Sequence, residues 1–308
     1  MSAPHWADIG ESTFVLGTRL LVAVHRLFGR VPFRLVLVPV VLYYRSTRAV
    51  ARRASMEYLA RMQAAHGALG GPPGWRHGLR HFVAFADTLL DKVLAASGRY
   101  RFTSIRIDGA EPVLAALARG QGGVFVTGHV GCLEVCQAAI DHTRRMRLNV
   151  LVHTAHAEQF NRVLGRLDPD SNVRLIQVTE ITPATAVMLA ERVERGEWVA
   201  IAGDRVPVGA GRTVVAPFLG HPARWPVGPY VLAALLRCPL VLMACVRDGT
   251  GPGHVMSFEW LADRVELPRR DRDAALAALA TRFSQRLEAL LARAPYEWFN
   301  FFPFWAQR

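Results

Sequence analysis

The sequence predicts an α/β domain, a mixed and largely parallel sheet flanked by helices, with a helical membrane anchor at its N-terminus. Three observations predict it. From Arg101 onward, short β-prone apolar runs alternate with runs of helical period, which is the pattern of a sheet covered on both faces. That region contains no internal repeat, low-complexity tract or second change of composition. The first 66 residues instead combine apolar segments with arginine. The length of 308 residues is enough to bury a core, and 51% hydrophobic with 20% charged residues excludes a disordered tail, a collagen-like repeat or a coiled-coil rod.

The N-terminal segment comes first. The apolar stretch Phe14–Tyr44 is interrupted by Arg19, Arg26, Arg30, Pro32 and Arg34, so its longest charge-free piece is Leu35–Tyr44. A spanning helix needs roughly 18–20 apolar residues. The start, Met1–Asp8, lacks a basic region followed directly by an apolar one, so no cleaved signal peptide is expected. Two apolar pieces, Phe14–Phe28 and Phe33–Tyr44, precede Arg45, Arg48, Arg52 and Arg53. Residues 1–62 hold nine arginines against Asp8, Glu11 and Glu57, which is half of the chain's net charge of +12. Basic charge beside apolar helical surface attracts anionic leaflets at about 1 kcal/mol per charge. Trp6, Tyr43 and Tyr44 suit the interfacial belt. Residues 1–66 are therefore expected to lie on an anionic membrane surface, and residues 67–308 to form the α/β domain. The competing expectation is a helical hairpin packed on that domain with solvated arginines.

Gly67-Ala-Leu-Gly-Gly-Pro-Pro-Gly74 is a breaker cluster. Trp75–Ala96 follows as an amphipathic helix, with Leu79, Phe82, Phe85, Leu89 and Val93 on one stripe. Strands are expected at Phe102–Ile107, Gly123–Thr127, Asn149–His153, Val173–Val178, Trp198–Ala202 and Pro239–Val246. Helices are expected at Pro112–Arg119, Gly131–His142, between His153 and Val173, at Pro183–Arg195, near Val227–Arg237 and at Ala274–Leu291. Pro183–Arg195 is the best marked, with Thr182 as N-cap, Pro183 in the first turn and Gly196 beyond the end.

Reactive groups in open α/β sheets collect where strands end and helices begin. The turn Gly122-Gly-Val-Phe-Val-Thr-Gly-His-Val-Gly-Cys-Leu-Glu134 has this character. His129 follows a buried strand directly, Gly131 permits a tight turn or close substrate approach, and Glu134 opens the helix. His129 and Glu134 lie five residues apart, whereas helical neighbours lie three or four apart. Across a strand-to-helix turn, the offset can set the carboxylate against one imidazole nitrogen and leave the other for substrate. A histidine oriented in this way has a fixed tautomer and a stabilised cation, as a general base requires. His-x4-Glu alone arises often by chance. Its position at a glycine-flanked strand end gives it weight.

Gly128-His-Val-Gly-Cys-Leu-Glu134 resembles the His-x4-Asp/Glu motif of the glycerolipid acyltransferase superfamily, and more narrowly the lipid A biosynthesis (late) acyltransferases. The likeness extends through Ile107-Asp108-Gly109, Ala202-Gly203-Asp204-Arg205, Pro217–Ala223, Trp225–Tyr230 and the ending Pro295–Trp305, which contains Trp298-Phe-Asn-Phe301. It departs from the family at Cys132 and Leu133. The resemblance implies a glycerolipid acyltransferase-like fold and O-acyl transfer from a thioester to a hydroxyl of a glycolipid or other amphiphilic acceptor. The donor would be an acyl carrier protein thioester, or acyl-CoA. His129 would be the base, oriented by Glu134. Gly131, Asp204 and Arg205 would bind substrate, with Arg205 holding a phosphate of the acceptor or of phosphopantetheine. No cofactor is implied beyond the thioester itself. The expected location is the cytoplasmic face of the inner membrane.

Other readings compete. Cys132, three residues from His129, invites a thiol nucleophile, and Cys136 a metal cluster. Without a Cys-x-x-Cys pair, small buried hydrophobes are the stronger reading for both, and no metal is expected. Four cysteines are too few for a disulfide scaffold, which points to reduced thiols facing the cytosol. His77 with His81, and His153 with His156, have ligand-like spacing that eleven histidines readily produce by chance. The basic balance raises nucleic acid, but no recognised motif for it is visible, and neither a Walker A nor a Gly-x-Gly-x-x-Gly pattern occurs. A thioesterase-like hydrolase using the same base, or a noncatalytic lipid-binding protein, are the alternatives to acyl transfer.

Overall fold

A computed structural model of the protein describes residues 30–96, 105–143, 146–152, 172–177, 182–206, 211–248 and 253–307. Three helices lead: α1 (Arg30–Thr47), α2 (Ala49–His66) and α3 (Trp75–Ala96). Next come β1 (Ile105–Asp108), α4 (Glu111–Ala118), β2 (Gly123–Thr127), α5 (Leu133–Thr143), β3 (Leu148–Val152), β4 (Val173–Gln177), α6 (Pro183–Glu194) and β5 (Trp198–Ala202). The chain continues through β6 (Thr213–Phe218), β7 (His221–Pro226), α7 (Gly228–Leu236), β8 (Leu240–Arg247), β9 (His254–Ala262) and α8 (Arg272–Arg293), and ends in a short helical turn, Phe304–Ala306.

Seven strands form one sheet in the order β1-β9-β8-β2-β5-β3-β4. Five of its six pairings are parallel, and β8–β9 is antiparallel. The mixed, largely parallel sheet with flanking helices is therefore present. Strand alternation builds both covered faces. Val124 and Val126 of β2 join Val199, Leu240 and Leu242 under Leu232 of α7 and Phe283 and Leu287 of α8. Phe125 points the other way and joins Trp198, Ala200, Val241 and Met243 under Val113, Val135 and Cys136. Phe125 and Trp198 stack with centroids 4.3 Å apart. Helix α2 contributes Tyr58, Leu59 and Met62 to the first of these layers.

The sequence-based elements agree with these to within a few residues, and the Thr182 side chain caps α6 by accepting from Thr185 N–H at 3.2 Å. Phe102, His153, Val178 and the helix expected between β3 and β4 lie outside the described residues. Two features escaped the pattern. Prolines at 217, 222 and 226 argue against strand, yet β6 and β7 form an antiparallel hairpin apart from the main sheet. Its two-residue turn has positive φ at Leu219 (50°) and Gly220 (76°), the primed geometry that tight hairpins favour. Leu219 tolerates this because its side chain is buried and its N–H donates to Glu288 Oε1 at 2.6 Å. Strand β9 is the second. It pairs along the length of β8 and turns one edge of the sheet antiparallel.

The anchor expectation receives a partial answer. Leu37 and Val41 of α1 pack on Phe82, Ala86 and Leu90 of α3. Leu35 and Tyr43, each 71% exposed, face outward with Val40 and Leu42. No described helix is long and apolar enough to cross a membrane. Trp6 and the segment Phe14–Phe28 lie outside the described residues.

Phe283, fully buried beneath β6 and β7 and edge-on to Trp225, reports on the first layer. Phe283→Ala is expected to cost about 3–5 kcal/mol, read as a lower urea midpoint with an unchanged slope.

Candidate active site

The register of the sheet sets the site. Strand β2 is central, and its last residue, Thr127, pairs with Ala202, the last residue of β5. His129 and Asp204 each follow two residues later, from neighbouring strands about 4.8 Å apart. Gly203 N–H donates to Thr127 carbonyl at 2.8 Å, which closes the two exits side by side. His129 Nδ1 then meets Asp204 Oδ1 at 2.8 Å, and His129 N–H donates to Asp204 Oδ2 at 2.8 Å. The carboxylate is fully buried, while 36% of the imidazole side chain is exposed.

Glu134 is not the partner of His129. It stands second in α5, and the turn before it points its carboxylate at α3, where it pairs with Lys92 Nζ at 2.6 Å. The correction has a plain cause. A five-residue offset carried around the Gly131 turn ends beside the neighbouring helix, whereas sheet register delivers Asp204 to the ring directly. Asp204, expected to touch substrate, is sealed behind His129. Gly131 has φ +55°, and a Cβ there would stand 1.8 Å from the Cys245 carbonyl. Its N–H donates to the Glu297 carbonyl at 2.7 Å. Gly131 is thus required by packing at the turn. Arg205, expected to hold phosphate, turns inward: Nε donates to Asn300 Oδ1 at 2.8 Å and a terminal nitrogen to the Phe299 carbonyl at 3.2 Å.

Two side chains missed in the sequence complete the site. Residues 297–300 run extended beside the His129 loop, through a bridge between Val130 and Trp298 and a bond from Phe299 N–H to the His129 carbonyl at 2.8 Å. Alternation in an extended segment puts Trp298 and Asn300 on one face. Both donate to Asp204 Oδ2, Asn300 Nδ2 at 2.8 Å and Trp298 Nε1 at 3.3 Å. The signal was the Trp-x-Asn spacing, visible but mute without knowing which carboxylate it served. Lys92, the only lysine among 37 basic residues, was likewise visible without its partner.

Helices α2 and α3 brace this segment. His81 Nε2 lies 2.8 Å from the Trp298 carbonyl and Nδ1 lies 2.9 Å from Ser55 Oγ. A carbonyl only accepts, so Nε2 carries the proton and Nδ1 accepts from the hydroxyl. Burial pushes His81 down to about 4, so it stays neutral. His77 is bound to the Gly74 amide at 3.0 Å. No group of three or more His, Cys, Asp or Glu gathers as metal ligands among the described residues, while His153 and His156 lie outside them.

Electrostatics separate the roles. Burial works against the Asp204 charge, but His129 and Arg205 beside it hold its carboxyl well below the usual range. Burial lowers the His129 pKa, as do the charges of Arg205 and Lys92, against the pull of Asp204. The pair at neutral pH is a carboxylate and a neutral imidazole with its proton on Nδ1. Its Nε2 is then left as a base. Cys132 is fully buried, and burial together with Glu134 pushes its thiol well above the ordinary value. That disfavours the thiolate a nucleophile needs.

Residues 87–307 match the model of a family described as bacterial lipid A biosynthesis acyltransferase. No curated protein matches the chain.

Glu297, on the opposite face of the bracing segment, is buried and raised to about 7, by burial foremost and also by Asp91 and Asp87, with Arg247 opposing. Between the ordinary carboxyl value and pH 7, the folded state binds the extra proton, so stability falls as pH rises through that window. Glu297→Gln is therefore expected to stabilise the protein at pH 8 by on the order of 3 kcal/mol. The gain should vanish near pH 4, with thermal unfolding at the two pH values as the check.

Proposed function

The chain belongs to the bacterial lipid A biosynthesis acyltransferase family and is an acyltransferase, and from that premise we propose how its residues perform the transfer. His129 Nε2 takes the proton of an acceptor hydroxyl as the oxygen attacks the carbonyl carbon of an acyl thioester. The C–O bond forms, the C–S bond breaks, and the imidazolium returns the proton to the departing thiolate. Asp204 holds the imidazole and stabilises its cationic form. A thioester is already activated, so no acyl-enzyme and no cofactor are needed. The observation that carries this reading is the 2.8 Å contact between a partly exposed imidazole and a fully buried carboxylate. The donor is an acyl carrier protein thioester, with acyl-CoA second, and the acceptor is a glycolipid or similar amphiphile.

The protein works at the cytoplasmic face of the inner membrane, held to an anionic surface. Support comes from α1, whose outward face shows Leu35, Val40, Leu42 and Tyr43, followed by exposed Arg48 and Arg53. That combination binds interfaces through apolar burial plus charge.

His129→Ala is expected to reduce transfer at least a thousandfold, and Cys132→Ala to leave it within a few-fold. Labelled acyl carrier protein and acyl-CoA thioesters, each supplied with a bacterial lipid extract, provide the measurement. Retained turnover in the histidine variant with loss in the cysteine variant would reverse the assignment, and free fatty acid as the sole product would identify hydrolysis. The pH profile of kcat/KM should rise to a plateau with its midpoint below about 6.5, because the base must be neutral and its site favours the neutral form. For the membrane face, changing Leu35, Val40 and Leu42 to Gln leaves Leu37 and Val41 on α3. It is expected to reduce co-sedimentation with phosphatidylglycerol vesicles several-fold, and unchanged sedimentation would count against the interface.

A further inference from the structure

We propose that Asn300 is a positioning residue, which locks the Asp204 carboxylate so that the imidazole proton of His129 stays on Nδ1 and Nε2 remains the base. The proposal rests on His129 as the base, and it concerns a residue 171 positions away in the chain.

The two oxygens of Asp204 have different neighbours. Oδ1 meets His129 Nδ1, while Oδ2 accepts from His129 N–H, Asn300 Nδ2 and Trp298 Nε1. A carboxylate turns about its Cβ–Cγ bond, so holding Oδ2 also aims Oδ1. The Asn300 bond is the shorter of the two that the bracing segment supplies, at 2.8 Å against 3.3 Å for Trp298. Each donor on Oδ2 also withdraws charge from the carboxylate and weakens its hold on a proton shared with the ring.

An amide can present either end to Asp204, and only the NH2 end is attractive. Arg205 selects it. Its Nε donates to Asn300 Oδ1 at 2.8 Å, and it also donates to the Phe299 carbonyl at 3.2 Å. Arg205 directly follows Asp204 in the chain, so the residue beside the carboxylate fixes the amide that fixes the carboxylate. Asn300 is 2% exposed and has little room to turn otherwise. The charged groups acting on the ring are Asp204 and Arg205 after β5 and Lys92 of α3, with Glu134 of α5 tied to that lysine. An uncharged replacement of Asn300 leaves all of these charges in place.

The test is nitrogen NMR of the full chain labelled with 15N-histidine, with the His129 signals assigned by their loss in His129→Ala. The wild type is expected to show the Nδ1–H tautomer at neutral pH. Asn300→Asp keeps size and shape but replaces the donor with a second carboxylate oxygen, and is expected to raise the His129 titration midpoint by about one unit. Asn300→Leu removes both amide contacts and is expected to give a mixture of tautomers. A wild-type midpoint and tautomer in the folded Asn300→Asp protein would overturn the proposal, and this near-isosteric variant decides alone if Asn300→Leu does not fold. In the uncharged Asn300→Leu protein, a merely structural role would lower activity or stability and leave the tautomer unchanged. If His129→Ala still transfers acyl groups, the base assignment fails whatever the spectra show. If that variant is inactive while the Asn300→Asp spectra are unchanged, only the role of Asn300 fails.

Discussion

A carboxylate without access to water is a demanding group to hold ionised, and Asp204 survives as one because four hydrogen-bond donors converge on it. An isolated buried charge costs many kcal/mol, and a protein ordinarily avoids it by leaving the group protonated. Here the donors come from two separate parts of the chain: the loop after β2, and the closing segment with the indole of Trp298 and the amide of Asn300. Neither of these parts can shift alone without leaving the charge less satisfied. The geometry of the imidazole follows from the same constraint, since one of those donors is its own Nδ1.

That convergence explains the arrangement around it. The closing segment, residues 297–300, runs beside the His129 loop because its backbone completes the loop's hydrogen bonds. Its carbonyl at Trp298 is gripped by His81, which Ser55 orients in turn. Tyr58, Phe218 and Phe304 press on the Trp298 ring with centroids 4.8 to 5.1 Å away. The aromatic ending is therefore packing with a consequence, because it presses the indole and amide onto the carboxylate. The leading helices take part as well, since α2 and α3 supply Tyr58, Ser55 and His81.

Lys92 and Glu134 form a second charged pair at the same site, with a different balance. The lysine is 52% exposed and the glutamate 22%, so solvent screens much of their attraction and the pair adds little to stability. Its influence is local. The ammonium charge favours the ionised carboxylate of Glu134 and disfavours a cation on His129. Cys132 and Cys136 lie just behind, fully buried in the layer beneath α5, where a thiol behaves as a small hydrophobe.

The sequence by itself determined what depends on neighbours along the chain. Hydrophobic period placed β2, β5, α3 and α8, the cap at Thr182 marked α6, and the glycine-flanked strand end singled out His129. Those signals are local because alternation, helical period and capping act over a few residues. Only the tertiary structure decided which acid serves the imidazole, and that β9 and the proline-bearing β6–β7 hairpin belong to sheets. Which strands lie side by side is settled by packing between distant segments, and the pairing of Thr127 with Ala202 is what carries Asp204 to His129. Glu134 stood close in sequence, but the tight turn at Gly131 sent it toward α3. Trp298 and Asn300 were plainly legible as residues, yet their purpose was fixed by a carboxylate some 95 positions earlier, which no local pattern can encode.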